Sequence, residues 1–129
     1  MSEPVVELAL AFGFDAAHRF DAWPEGHPNR RLHGHSFQVE VAVRGRADPA
    51  TGFVLEYSQL ESVCFTLRDS LDHRLLNEIE GLERPSLERL CVWIWNRLAS
   101  EVDGLARVTV RRDSVGQSCT YRGPRPDVT

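Results

Sequence analysis

Strict alternation of apolar and polar positions dominates the first third of the chain. From Val5 to His18 the even positions Leu8, Leu10, Phe12, Phe14 and Ala16 are apolar, which is the period of a strand with one buried face, and His18 falls on that face. A second strand is expected from about His33 to Arg44, with His33, His35, Phe37, Val39, Val41 and Val43 on one side and Gly34, Ser36, Gln38, Glu40 and Arg44 on the other. Both of its histidines share the core face. Between the strands, Asp21 to Arg31 carries the run Pro24-Glu25-Gly26-His27-Pro28 and no periodicity, so it reads as a long loop, a type of segment that often bears function.

The period then changes from two to near 3.6. After a turn at Asp48-Pro49-Ala50-Thr51-Gly52, Tyr57 to Asp72 places Leu60, Val63, Cys64, Leu67 and Leu71 at helical spacing, with Ser58 as a plausible cap. Pro85-Ser86 opens a second helix with Ser86 as N-cap and Leu87, Leu90, Cys91, Ile94 and Leu98 as its stripe, closed by Asp103-Gly104. Two last strands, near Ala106 to Arg112 and Ser118 to Arg122, are joined by a turn at Val115-Gly116-Gln117. The order ββααββ predicts an α+β fold, one four-stranded antiparallel sheet with two helices on one face, over a single domain spanning residues 1–129. Pairing of its open edges between subunits would close a barrel and deepen a shallow core, which favours a ring-like homo-oligomer.

Composition narrows the partners. The chain has 129 residues, a formal net charge of −4 and no basic tract longer than Arg30-Arg31 or Arg111-Arg112, so it carries no footprint for nucleic acid or a membrane surface. A small molecule is the expected partner. The cysteines Cys64, Cys91 and Cys119 are odd in number and widely spaced, and Met1-Ser2-Glu3-Pro4 has no basic leader region; both features fit a cytoplasmic protein.

The candidate chemistry lies in the histidines. Positions i and i+2 of a strand are ~6.6 Å apart on one face, so His33 and His35 can converge on one ion, while Gly34 lets another chain segment approach. His18 can supply a third ligand. Three neutral imidazoles with an open fourth position are the usual catalytic zinc arrangement, in which the metal acidifies water or polarises a substrate oxygen. The H-x-H spacing alone also suits histidines packed in a core, and His27, in the loop, has no facing argument and is expected to be exposed.

Six runs in order, Phe14 to His18, Pro24 to His27, Leu32 to Phe37, Leu71 to Asn77, Pro85 to Glu88 and Tyr121 to Gly123, resemble the 6-pyruvoyl-tetrahydropterin synthase / 6-carboxytetrahydropterin synthase family. The resemblance covers nearly the whole chain. It implies a tunnelling fold (T-fold), a homohexamer built as a dimer of trimers, active sites at subunit interfaces, and one Zn2+ held by His18, His33 and His35. It implies also a substrate such as dihydroneopterin triphosphate, with loss of triphosphate and rearrangement or cleavage of the side chain. Asp72 and His73 match the family's catalytic aspartate and histidine, and an imidazole beside a carboxylate can donate or accept protons near neutral pH. The same L-D-H run could instead simply end a helix, with His73 near its C-terminal dipole.

Two departures from the family pattern stand out. Its catalytic cysteine, four residues before H-G-H, is replaced by Asn29, whose amide can orient an oxygen but cannot abstract a proton. Cys64 and Cys91 fall on helix stripes and Cys119 in the last strand, so none substitutes for it. The family's third-strand glutamate, which anchors the pterin's amino and ring nitrogens, has two candidate positions. Strand parity from Val108 and Val110 puts Arg112 there, whereas counting back from Tyr121 puts Asp113 there. A shortened carboxylate at Asp113 could still hold a pterin, but Arg112 would favour a carboxylate or phosphate.

Other candidates have plainer roles available. Glu88 supports the second helix or the site, Trp93 and Trp95 are expected to pack, Arg30 and Arg31 could meet an anion or be solvated, and Glu56 is a weak cap. The leading reading is a zinc-dependent lyase of the tetrahydropterin synthase type. The alternatives are a relative recruited to a non-pterin anionic substrate and a non-catalytic T-fold oligomer.

Overall fold

The computed structural model describes residues 3–124; Met1 and Ser2, half of the N-terminal run weighed above, lie outside the described residues. Strands β1 (Val5–His18), β2 (His33–Arg46), β3 (Leu105–Arg112) and β4 (Gln117–Tyr121) form a sheet of order β1-β2-β3-β4, antiparallel throughout. Helices α1 (Tyr57–Leu71) and α2 (Leu87–Leu98) fill the connection between β2 and β3. Helix α1 lies over β1, and α2 lies over β3 and β4.

The register follows from which residues must be buried. Phe14 pairs with Phe37, Phe12 with Val39 and Leu10 with Val41, while Val39 and Val41 meet Val110 and Val108 on the other flank. This one face meets Leu60, Cys64, Leu67, Leu71, Leu90, Cys91, Ile94 and Leu98 from the helices to form the core. A slip of one residue would turn every one of these strand side chains to the opposite face. The Phe14 and Phe37 rings stack with centroids 4.9 Å apart, next to the histidine end of the hairpin.

Element ends differ from expectation by one or two residues, each for a local reason. Strand β2 continues to Arg46 because Val5 at the start of β1 supplies a ladder partner. Helix α1 begins after Glu56, which makes no side-chain capping bond, and Ser58 does not cap it either; the Ser58 hydroxyl instead contacts the Glu56 carboxylate. Ser86 does cap α2, its Oγ accepting the Arg89 N–H at 3.2 Å. Gly104, at φ +78, joins α2 to β3 where a Cβ would stand 2.6 Å from the Arg44 carbonyl oxygen.

The segment that follows α1 matters most for function. Asp72 ends the helix, His73 takes a left-handed conformation (φ 60), and the chain then runs beside the outer edge of β1. The His73 N–H donates to the Asp15 carbonyl at 2.7 Å and the Ala17 N–H donates to the Arg74 carbonyl at 2.9 Å. Part of the β1 edge is thereby covered. Among the described residues no helix is long and apolar enough to cross a membrane.

Candidate metal centre and its surroundings

Antiparallel pairing sets His18 directly opposite His33, with His35 one pleat further along the same face opposite Ala16. The three rings stand edge to face with centroids 4.6 to 4.9 Å apart. One nitrogen from each lies within 4.8 Å of the other two. His18 is 1 % exposed, and His33 and His35 are half-buried.

Backbone carbonyls determine which nitrogens point inward. His18 Nδ1 lies 3.3 Å from the Pro85 carbonyl oxygen and His33 Nδ1 lies 2.7 Å from that of Arg31. A carbonyl only accepts, so each Nδ1 carries the proton and each Nε2 presents a lone pair. Those two lone-pair nitrogens face each other at 3.0 Å, where neither has a proton to share. His35 Nε2 is buried with no hydrogen-bond partner among the described residues. Burial, then the neighbouring His33 and His35, brings the His18 pKa down to about 4, the Pro85 carbonyl acting in the other direction and Arg112 adding to the lowering. The His35 pKa is lowered by burial, by Arg112 and by His33. Three clustered imidazoles, with the Nδ1–H groups of His18 and His33 fixed by carbonyls and the buried Nε2 of His35 unpartnered, fit a zinc ion, whose tetrahedral nitrogen ligands stand roughly 3.3 Å apart.

The surrounding loops hold this arrangement. Asn77 acts as a backbone mimic: its Oδ1 accepts the Arg19 N–H at 3.0 Å and its Nδ2 donates to the Arg19 carbonyl at 2.8 Å, fixing the chain just after His18. Asn77 is the last residue of the L-D-H-R-L-L-N run, so its presence was legible although its task was not. The Pro85 carbonyl, a backbone group, left no mark in the sequence.

Asp72 and His73 form a separate group. The Asp72 Oδ2 lies 3.0 Å from His73 Nδ1 and 3.3 Å from Arg68 Nη2, and Oδ1 accepts the Asp15 N–H at 2.9 Å. That backbone bond first, then His73 and Arg68, holds the Asp72 carboxyl below the ordinary carboxylate range. The His73 side chain is 81 % exposed. It lines an open cavity of about 560 Å³ at the edge of the β1–β2 hairpin, together with Asp15, Ala16, Gly34, Ser36 and His35, one of the three clustered histidines. No hydrogen bond or ring contact among the described residues joins His73 to the three histidines. Arg68 and Asp15, which sequence reading did not single out, complete this group; Arg68 also donates from Nε to the Gly13 carbonyl at 2.8 Å. Their only signal is position, one turn before Asp72 and on the neighbouring strand.

The remaining candidates separate clearly. Arg112 lies by parity on the buried face of Val108 and Val110, and its charge reaches His18 and His35; Asp113 is exposed and pairs with Arg111 at 2.9 Å. A short 3-10 turn over Asp113–Val115 takes up residues that a count back from Tyr121 assigns to the strand. Glu88 is exposed in the first turn of α2, with its charge acting on Arg112. Asn29 is half-buried in the 3-10 turn Pro28–Arg30, its N–H donating to His27 Nδ1 at 3.0 Å. His27 is accordingly not simply exposed: it caps that turn and stacks on Trp23. Arg30 donates to the Asp21 and Trp23 carbonyls and so holds the loop, while Arg31 is exposed. Trp93 and Trp95 pack, the first donating to the Glu80 carbonyl and the second meeting Tyr121 edge to face. Burial pushes the Cys64 thiol up to about 11 and raises that of Cys91 as well, so neither is a ready nucleophile.

Comparison with known proteins gives this geometry a context. The sequence pattern of the 6-pyruvoyl tetrahydropterin synthase family matches residues 7–124. The chain is 37 % identical over 120 residues to a 6-carboxy-5,6,7,8-tetrahydropterin synthase of Synechocystis, covering 88 % of this chain and 91 % of that protein. It is 36 % identical over 93 residues to a dihydroneopterin monophosphate aldolase of Pyrococcus furiosus, covering 70 % of this chain and 73 % of that one. Its fold superposes on the 6-pyruvoyl tetrahydropterin synthase of Caenorhabditis elegans with a TM-score of 0.85 at 25 % identity, over 96 % of this chain and 99 % of the other. With the T-fold sheet and its two helices in place, the chain belongs to the 6-pyruvoyl tetrahydropterin synthase family.

Proposed function

We propose that the protein is a zinc-dependent carbon–oxygen or carbon–carbon lyase of the tetrahydropterin synthase type, with His18, His33 and His35 holding the metal. The observation that carries this reading is that the Nε2 lone pairs of His18 and His33 face each other beside His35, whose buried Nε2 has no partner among the described residues. A zinc ion held by these three residues would supply Lewis-acid polarisation of a substrate hydroxyl or carbonyl oxygen, which would ease proton loss from the adjacent carbon. Asp72 holds the Nδ1–H of His73, which leaves Nε2 as the atom that takes or returns that proton. Asn29 orients a substrate oxygen. His73 and His35 line one open cavity, which a second copy packed on the β1–β2 hairpin would enclose, in keeping with the dimer of trimers that the family resemblance implies.

Dihydroneopterin phosphates are the first substrates to test, since the relatives' names include a dihydroneopterin monophosphate aldolase and a 6-carboxytetrahydropterin synthase. Zinc-loaded protein incubated with dihydroneopterin triphosphate should release inorganic triphosphate or a small aldehyde fragment, read by mass analysis. Full recovery of the substrate would contradict the pterin version of this reading.

A further inference from the structure

The three arginines borne by strand β3 meet different fates. Arg107 pairs with Glu7 at 3.1 Å and with Glu40 at 2.6 Å, and Arg111 pairs with Asp113. Arg112 has no ion-pair partner among the described residues, and its Nε is buried with no acceptor. It points to the face shared with Val108, Val110 and the three histidines, and the only opposite charge bearing on it is the more distant Glu88. Burial makes its charge unfavourable, and that charge in turn disfavours protonation of His18 and His35. A guanidinium placed in this way has spare donors only: it can be satisfied by oxygen acceptors and repels any edge made of N–H groups.

From this placement we infer that Arg112 is the specificity-determining residue of the site and takes an oxyanion, a carboxylate or a phosphate carried by the substrate, in a paired donor contact. The inference rests on the metal-centre reading and sharpens its substrate class: a hydroxy or oxo compound whose other end is an anion. Such an end is attracted further by the positive potential of a neutral-histidine metal site. The amino and ring N–H edge of a pterin offers donors where Arg112 also offers donors, so that edge is disfavoured at this position.

Calorimetric titration of the full zinc-loaded chain tests this with orthophosphate, glycolate and unphosphorylated neopterin as probes. The wild type should bind orthophosphate or glycolate at least about tenfold more tightly than Arg112→Gln, the scale of losing a charge-assisted paired contact, and the probe that weakens identifies the anion class. Arg112→Glu should gain neopterin affinity over the wild type. A smaller loss for both anions in Arg112→Gln, or tighter neopterin binding by the wild type than by Arg112→Glu, overturns the inference. Repeating the anion titrations on metal-free protein separates the two readings: zinc uptake below one per chain sinks the metal centre, whereas the Arg112 effect on anions is decided in either state. Thermal melting of both variants confirms that they fold.

Discussion

The three-histidine cluster and the Asp72–His73 pair lie on the same β1–β2 hairpin yet are built in contrasting ways. The histidine cluster is gathered from two strands of one chain: strand register sets its spacing, and backbone carbonyls fix the tautomers of His18 and His33. The pair is ionic, open to solvent and mounted on a left-handed residue, with an imidazole that has only one bonded side. Placing a metal requires fixed donors, which a sheet provides. Moving a proton requires a group that can meet a substrate from outside, which an exposed rim provides once another copy covers it. The two groups should therefore fail independently.

The largest effect expected is on the metal. His35→Ala should lower zinc affinity by more than about a hundredfold, beyond the range typical of losing an outer partner, while the metal-free protein keeps its fold. Competition with a chromogenic chelator measures it. Next, Asp72→Asn should cut turnover by about 10²-fold or more, the usual scale for disabling general acid–base catalysis, and leave zinc content untouched. A loss of zinc in that variant would join the two groups and break the comparison.

The pH dependence also separates them. The Asp72 carboxyl is held low by the Asp15 N–H, with His73 and Arg68 adding to this, so its contribution to stability is fully present above the ordinary carboxylate pKa of about 3.9 and disappears as the pH falls through its lower folded value. Melting curves of metal-free protein from neutral to acid pH should show this loss, and Asp72→Asn should flatten it. The smallest effects concern the helix starts. Ser86→Ala should cost about 1 kcal/mol, because the hydroxyl caps α2, and Ser58→Ala should cost less than about 0.5 kcal/mol, because Ser58 caps nothing. Denaturant midpoints compare them.

The histidine cluster was legible in the sequence because a strand has an exact period of two: parity alone places His18, His33 and His35 on the face of Phe14 and Phe37. The parity of Val108 and Val110 runs on to Arg112, and the 3-10 turn Asp113–Val115, which a count back from Tyr121 does not foresee, follows at the end of the strand. The side on which His73 emerges was not legible. It depends on a left-handed residue directly after α1 and on the pairing of the next segment with the β1 edge, and neither leaves a periodic trace. The role of Arg68 was hidden for the same reason, since it is defined by where Asp72 ends up. The substitution of Asn29 for the family cysteine is plain in the sequence, and the chain places it in a capped turn at the end of the loop without supplying a thiol in its stead.

The most direct test is the zinc stoichiometry of purified, metal-replete protein, measured by inductively coupled plasma mass spectrometry for the wild type, His35→Ala and His73→Ala side by side. One zinc per chain in the wild type and in His73→Ala, with loss of zinc in His35→Ala, is the predicted result. Zinc retained by His35→Ala, or absent from the wild type, would contradict a metal centre built from His18, His33 and His35.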